Sequence, residues 1–411
     1  VDTNERRHPT RTPPAAARGV HLACPLCGWS DVTGFVLQCP ACSGAVEPVV
    51  DLDRARVRGH ERPELAYLDF LPVDEHDLPP GTFSVATPCR PAPALGAAIG
   101  VPGLWVKDES RQPTGTTKDR FAAVVLGVFA RLGISTWVAA STGNSSTALA
   151  AAVPRDGSVR AHLFCGRDFV AEHRIAVDEH VTLTVVDGTY AEATATARRF
   201  AAARGLVWEG GFFNWARREG LKLTYLEAYD EMAAAGVAPD VVVQAISSGM
   251  GMMAARKGTD EYLRTGRLAR EPRFLMVQQD TCAPMARAWR EGRTELTDDD
   301  VVTAPDGLGR AILLGDGRAT YPYMHRIAAD SGGAIVEVSQ DDLRTARARL
   351  LELEGLDVCH SSAATVASLR NEAMAGRIGR HEVVLVNLTG RHGLARTGMS
   401  AAGHGGRAGA R

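Results

Sequence analysis

The chain has 411 residues, 45% of them apolar and 23% charged, with a formal net charge of -2. That length supports a sizeable core and more than one domain, and the balance is that of an ordinary globular protein. There is no positive excess to suggest nucleic-acid binding, no apolar run long enough for a membrane span and no apolar signal core before Cys24, so a cytoplasmic location is expected.

Residues 1–20 are rich in Arg, Pro, Thr and Ala without periodicity, and read as a flexible tail. Residues 21–50 hold two C-x2-C pairs, Cys24/Cys27 and Cys39/Cys42, and short strand-like runs such as Phe35-Val36-Leu37. Each pair can place two thiolates on one side of a tight turn, and two such turns make a tetrahedral four-sulfur site that suits Zn2+. With no spare ligand the site is structural, and the metal supplies stability that so small a unit lacks. Iron fits the same ligands, and a redox pair or two short-range disulfides are the rival readings. Cys89, Cys165, Cys282 and Cys359 are scattered among apolar residues, so no disulfide framework is expected.

From Thr82 onward, strand-like runs alternate with Ala-rich helices. The strand candidates are Leu104–Val106, Thr136–Ala140, Arg160–Phe164, Val181–Val186, Asp240–Ile246, Phe274–Val277 and Val383–Leu388. Most are apolar on both faces and separated by helices, which argues for parallel α/β layers, with ligands bound at the carboxyl ends of the strands. Within this pattern Lys118 sits at a turn where a strand-and-loop unit enters a helix. That place suits an amine forming a Schiff base with an aldehyde cofactor, and equally a solvent-facing lysine at a helix start. Ser247-Ser248-Gly249-Met250-Gly251 follows an apolar strand and precedes a helix, so its backbone N–H groups form a natural phosphate site, unless the loop is simply a close helix–strand turn. The last segment, 401–411, is glycine-rich and reads as a second flexible tail.

Four segments together carry a resemblance. Pro113-Thr114-Gly115-Thr116-Thr117-Lys118-Asp119-Arg120 resembles the Schiff-base segment of fold-type II pyridoxal-phosphate enzymes, and among them the threonine synthase family, which usually reads P-T-G-S-F-K-D-R. Ser141-Thr142-Gly143-Asn144-Ser145, Asn214-Trp215-Ala216-Arg217-Arg218-Glu219-Gly220 and Leu388-Thr389-Gly390 resemble that family's later segments, in family order. The resemblance implies a tryptophan synthase β-like α/β fold of two open domains with the cofactor between them. It places a large domain at 51–122 and 219–400, a small domain at 123–218 and a zinc ribbon at 21–50. It assigns Lys118 the Schiff base and proton transfer, Asn144 the cofactor's 3'-oxygen, Ser247, Ser248, Gly249, Met250 and Gly251 its phosphate, and Thr389 its pyridine nitrogen. It further implies that Ser141, Thr142 and Ser145 hold the substrate carboxylate and that Arg217 holds its phosphate. Lys222 and Arg111 are further candidates for the leaving group. A homodimer is the family expectation.

The activity so implied is elimination or replacement on a phosphorylated amino acid: O-phosphohomoserine and water to threonine and phosphate, in amino-acid biosynthesis. Departures from the family pattern point to an alternative. Thr117 stands where phenylalanine is usual, Trp215-Ala216 replaces Pro-Tyr, and Cys359-His360 replaces Glu-Pro. A cysteate synthase-like enzyme using phosphoserine and sulfite, or another β-replacement enzyme of specialised metabolism, fits these departures. A non-catalytic binding or regulatory scaffold is the remaining class.

Overall fold

The computed structural model describes residues 19–81 and 84–393. Of the two expected tails, only Gly19 and Val20 fall within it, and Val20 already opens the first strand. Three strands, β1 (Val20–Ala23), β2 (Ser30–Thr33) and β3 (Glu47–Pro48), form a small antiparallel sheet in the order β2-β1-β3.

The next strands are β4 (Cys89–Pro91), β5 (Gly103–Asp108), β6 (Thr136–Ala140), β7 (Arg160–Gly166), β8 (Val181–Val186) and β9 (Val207–Trp208). They are followed by β10 (Val241–Ala245), β11 (Arg273–Gln279), β12 (Ala334–Val338) and β13 (Val383–Leu388). One sheet runs β12-β11-β10-β13-β5-β4 and is parallel except for the edge strand β4. The other runs β8-β7-β6-β9 and is wholly parallel. The larger sheet therefore takes strands from both sides of the segment that builds the smaller one. Its central strands β10 and β13 are almost completely buried, as two-sided apolar strands must be. No helix among the described residues is long and apolar enough to cross a membrane.

Two helices join the sheets, Asp119–Arg131 and Trp215–Ala234. They cross at Gly220, where a Cβ would collide with Cα of Phe121 and lie 2.6 Å from the carbonyl oxygen of Arg120. Only glycine permits this approach, which brings the starts of both helices, and so Lys118 and Arg217, into one region. The crossing is held by buried charge. Arg120 donates to Glu109 at 2.8 Å, to Glu227 at 2.8 Å and to Thr87 at 3.0 Å, and Lys107 donates to Glu227. Burial alone would raise the Glu227 carboxyl, but Arg120 and Lys107 outweigh it and hold it down at about 2.

Candidate active site

A cleft opens at the carboxyl ends of β10 and β13. Its wall includes Lys118, Asn144, the 247–251 loop and Thr389. Lys118 is the N-cap of the helix Asp119–Arg131, and the preceding loop is stitched to the end of β13: Thr117 N–H donates to the Thr389 carbonyl at 2.9 Å. Asp119 closes the same turn by accepting from the backbone N–H and hydroxyl of Thr114, at 2.6 and 2.7 Å. Among the described residues no carboxylate pairs with the Lys118 amine. Burial, with the Arg217 cation adding to it, pulls that amine down to about 8.

The 247–251 loop leads from β10 into the helix Met250–Arg264. Gly249 caps this helix at φ 83°, and its carbonyl accepts the N–H groups of Met252 and Met253. A Cβ there would collide with Sδ of Met324, so the turn needs glycine for space as well as for φ. The N–H groups from Ser247 to Gly251 have no acceptor among the described residues, a cradle of donors at a helix N-terminus that fits a phosphate. Met250 packs its side chain into the main core and leaves its N–H in the cradle.

The remaining expected residues divide. Asn144 begins the helix Asn144–Ala152 and is on the wall, as is Thr389, whose hydroxyl is 3.4 Å from that of Ser362. Ser141, Thr142 and Ser145 are not on the wall. The Ser141 hydroxyl accepts instead from Gly143 and Ser146 N–H, at 3.1 and 3.3 Å, and so builds the turn that carries Asn144. Arg217 lies close enough to Lys118 to act on its charge but is not on the wall. Its Nε and Nη2 both donate to the Glu209 carboxylate.

Two leaving-group candidates lie off the cleft wall. Lys222 is fully buried, with its amine on Glu219 at 2.6 Å, Glu261 at 2.8 Å and the Phe70 carbonyl at 2.6 Å. Five positions along a helix is a turn of roughly 140°, which carries Lys222 to a different face from Arg217. Arg111 is exposed and pairs with Asp108 at 2.9 Å, away from the cleft wall.

Sequence reasoning missed a polar floor. The Tyr225 hydroxyl donates to Gln244 Oε1 at 2.5 Å, and Asn387 Nδ2 donates to the same oxygen at 3.1 Å. All three residues are buried and on the wall, and Asn387 Oδ1 has no partner among the described residues. A polar residue inside each of two apolar strands, Gln244 in β10 and Asn387 in β13, was the available signal, because a buried amide requires a partner.

In the small antiparallel sheet, Cys24 Sγ is 3.5 Å from Cys42 Sγ, and Cys27 Sγ is 3.5 Å from Cys39 Sγ. The four sulfurs lie within 4.8 Å of one another and none is in a disulfide. Four thiols converging on one point are the donor set a tetrahedral Zn2+ takes.

The chain is similar to several known proteins. A family model described as pyridoxal-phosphate dependent enzyme matches residues 83–390. The cysteate synthase of Methanoculleus marisnigri is 27% identical over 383 residues, covering 90% of this chain and 87% of that protein. The threonine synthase of Methanosarcina acetivorans is 28% identical over 377 residues, covering 90% and 91%. Among solved structures, the processed form of threonine deaminase isoform 2 from Solanum lycopersicum superposes with a TM-score of 0.61 at 15% identity, over 84% of this chain and 95% of that one, a likeness of fold.

Proposed function

The chain belongs to the family of pyridoxal-phosphate-dependent enzymes, and from that premise we propose that it removes a leaving group from the side chain of an amino acid and adds a nucleophile in its place. The observation that supports this most is the Lys118 amine, without a carboxylate partner among the described residues and pulled down to about 8, on one cleft wall with the N–H cradle of residues 247–251. In this reading Lys118 holds the cofactor aldehyde, the cradle holds its phosphate, Asn144 its 3'-oxygen and Thr389 its ring nitrogen. When bound, the cofactor supplies a conjugated ring that takes up electron density from the substrate carbons. With its amine free, Lys118 would be the base that moves protons at those carbons. The Thr389 hydroxyl donates a hydrogen bond at the ring nitrogen without imposing a full positive charge there. The apolar residues Leu221, Ile246 and Ile312 on the wall limit water around the reacting centre.

The finer forms differ in leaving group and nucleophile. Threonine synthase-like conversion of O-phosphohomoserine and water to threonine and phosphate needs a cation for the leaving phosphate. Here the Nε and Nη2 donors of Arg217 are taken by Glu209, which favours the second form in its other branch, a replacement on a related amino acid whose leaving group carries no phosphate. The cysteine cluster is read as a structural Zn2+ site, and a homodimer as the assembly. The test is to offer the holoenzyme O-phosphohomoserine, O-phosphoserine and O-acetylserine, each with water alone or with sulfite. A change in the cofactor absorbance with new amino-acid product supports the reading. No change with any amino acid, in protein that carries its cofactor, rejects it.

A further inference from the structure

Glu209 follows β9, and its backbone N–H donates to the Val138 carbonyl in β6 at 2.9 Å, so its position is set by the smaller sheet. The side chain is 1% exposed. One carboxylate oxygen accepts from Arg217 Nε and from Asn214 Nδ2, the latter at 2.6 Å. The other accepts from Arg217 Nη2 and from the Gly211 N–H, the latter at 3.2 Å. The Arg217 guanidinium also lies over the Phe121 ring, 4.8 Å from its centroid, and its side chain is 5% exposed. The carboxylate is therefore held from several sides and takes the Nε/Nη2 edge of Arg217.

The Nε/Nη2 edge is one that a phosphate or carboxylate takes with two parallel hydrogen bonds. A substrate phosphate seeking that edge would displace Glu209, leaving a buried carboxylate without its cation and a dianion beside it. Among the described residues, Lys118 is the one charged side chain on the cleft wall. In the segment just before Arg217 the donors Gly211 N–H and Asn214 Nδ2 are already spent on Glu209, and Phe212 packs on Phe213 at 5.2 Å and on Tyr323 at 5.8 Å.

We propose that Glu209 is a specificity-determining residue: by filling the anion-binding edge of Arg217 it selects an amino-acid substrate with an uncharged oxygen leaving group, an ester or a hydroxyl, over one bearing a phosphate. This rests on the replacement reaction proposed above. The holoenzyme, Glu209→Gln and the double variant Glu209→Gln/Arg217→Met are each titrated with O-acetylserine, O-phosphoserine and inorganic phosphate, following the cofactor absorbance and thermal stabilisation. Glutamine keeps the shape and removes the charge. The wild type is expected to half-saturate with O-acetylserine at a concentration about tenfold or more below that for O-phosphoserine. Glu209→Gln should bind inorganic phosphate and O-phosphoserine about tenfold more tightly, and the added Arg217→Met should abolish that gain. A wild type that prefers the phosphorylated amino acid overturns the proposal, as does an unchanged phosphate affinity in Glu209→Gln. If Glu209→Gln fails to fold, the wild-type preference decides. If no amino acid perturbs the wild type, the reaction reading fails, while the phosphate titration, which needs no turnover, still decides the role of Glu209.

Discussion

The indole N–H of Trp215 donates to the carbonyl of Val36 at 3.0 Å, joining the loop between the two cysteine pairs to the start of the helix that carries Arg217. Phe35 packs beside that indole at 6.1 Å and against Phe129 at 5.2 Å, and the Arg218 guanidinium donates to the carbonyls of Val46 and Phe212. On the other side of the cysteine cluster, Ala45 N–H donates to the Tyr323 hydroxyl at 2.7 Å, next to the Met324 that packs on Gly249. The small sheet is therefore a brace for both sides of the cleft.

Metal removal should accordingly be felt at a distance. The protein purified without added metal is expected to carry about one zinc or iron per chain, and Cys27→Ser to lose it. Hydrogen exchange should then quicken in residues 21–50 and in 209–218, and much less in β10 and β13. Exchange confined to residues 21–50 would show that the brace transmits nothing, and absence of metal with intact C-x2-C disulfides would remove the site.

Lys118→Ala should abolish turnover, and borohydride reduction of the wild type should leave the cofactor mass on the Lys118 peptide. Because the amine is pulled down to about 8, cofactor capture by cofactor-free protein should speed up as pH rises, with a midpoint near 8. Arg217→Met removes a neighbouring cation and should move that midpoint upward. A downward shift, or the cofactor mass on another lysine, contradicts the assignment.

Gly249→Ala tests the cradle. The added Cβ meets Met324 and must adopt φ 83°, a conformation costing a side chain about 1–2 kcal/mol. Cofactor dissociation should rise about tenfold or more with little change at Lys118, read by equilibrium dialysis and by the cofactor spectrum. Unchanged affinity would place the phosphate elsewhere.

The buried Glu227–Arg120 pair sets an acid limit. Its carboxyl is depressed from 4.5 to about 2, so the stability it contributes is present above pH about 4.5 and is lost as pH falls toward 2. The linkage is on the order of 3 kcal/mol. Glu227→Gln should flatten this part of the stability-versus-pH curve while lowering stability at pH 7, measured by denaturant unfolding. A curve as steep as that of the wild type would locate the acid sensitivity elsewhere.

What depends on local chemistry was legible residue by residue. Two-sided apolar runs become β10 and β13 because burial on both faces demands them, a lysine before an apolar helix becomes a helix N-cap, and paired cysteines on tight turns converge. Short strands with little periodic signal, β4, β9 and β12, were missed, because pairing with neighbours rather than their own pattern makes them strands. Which polar groups meet depends on long-range packing. Helical rotation sends Lys222 into a buried ion pair, and the sheet places Glu209 where it closes the fork of Arg217. Tyr225, Gln244 and Asn387 come from a helix and two strands and meet only because β10 and β13 are neighbours in the larger sheet. Side-chain chemistry is written residue by residue, but the partner that satisfies a buried charge or amide is chosen by packing.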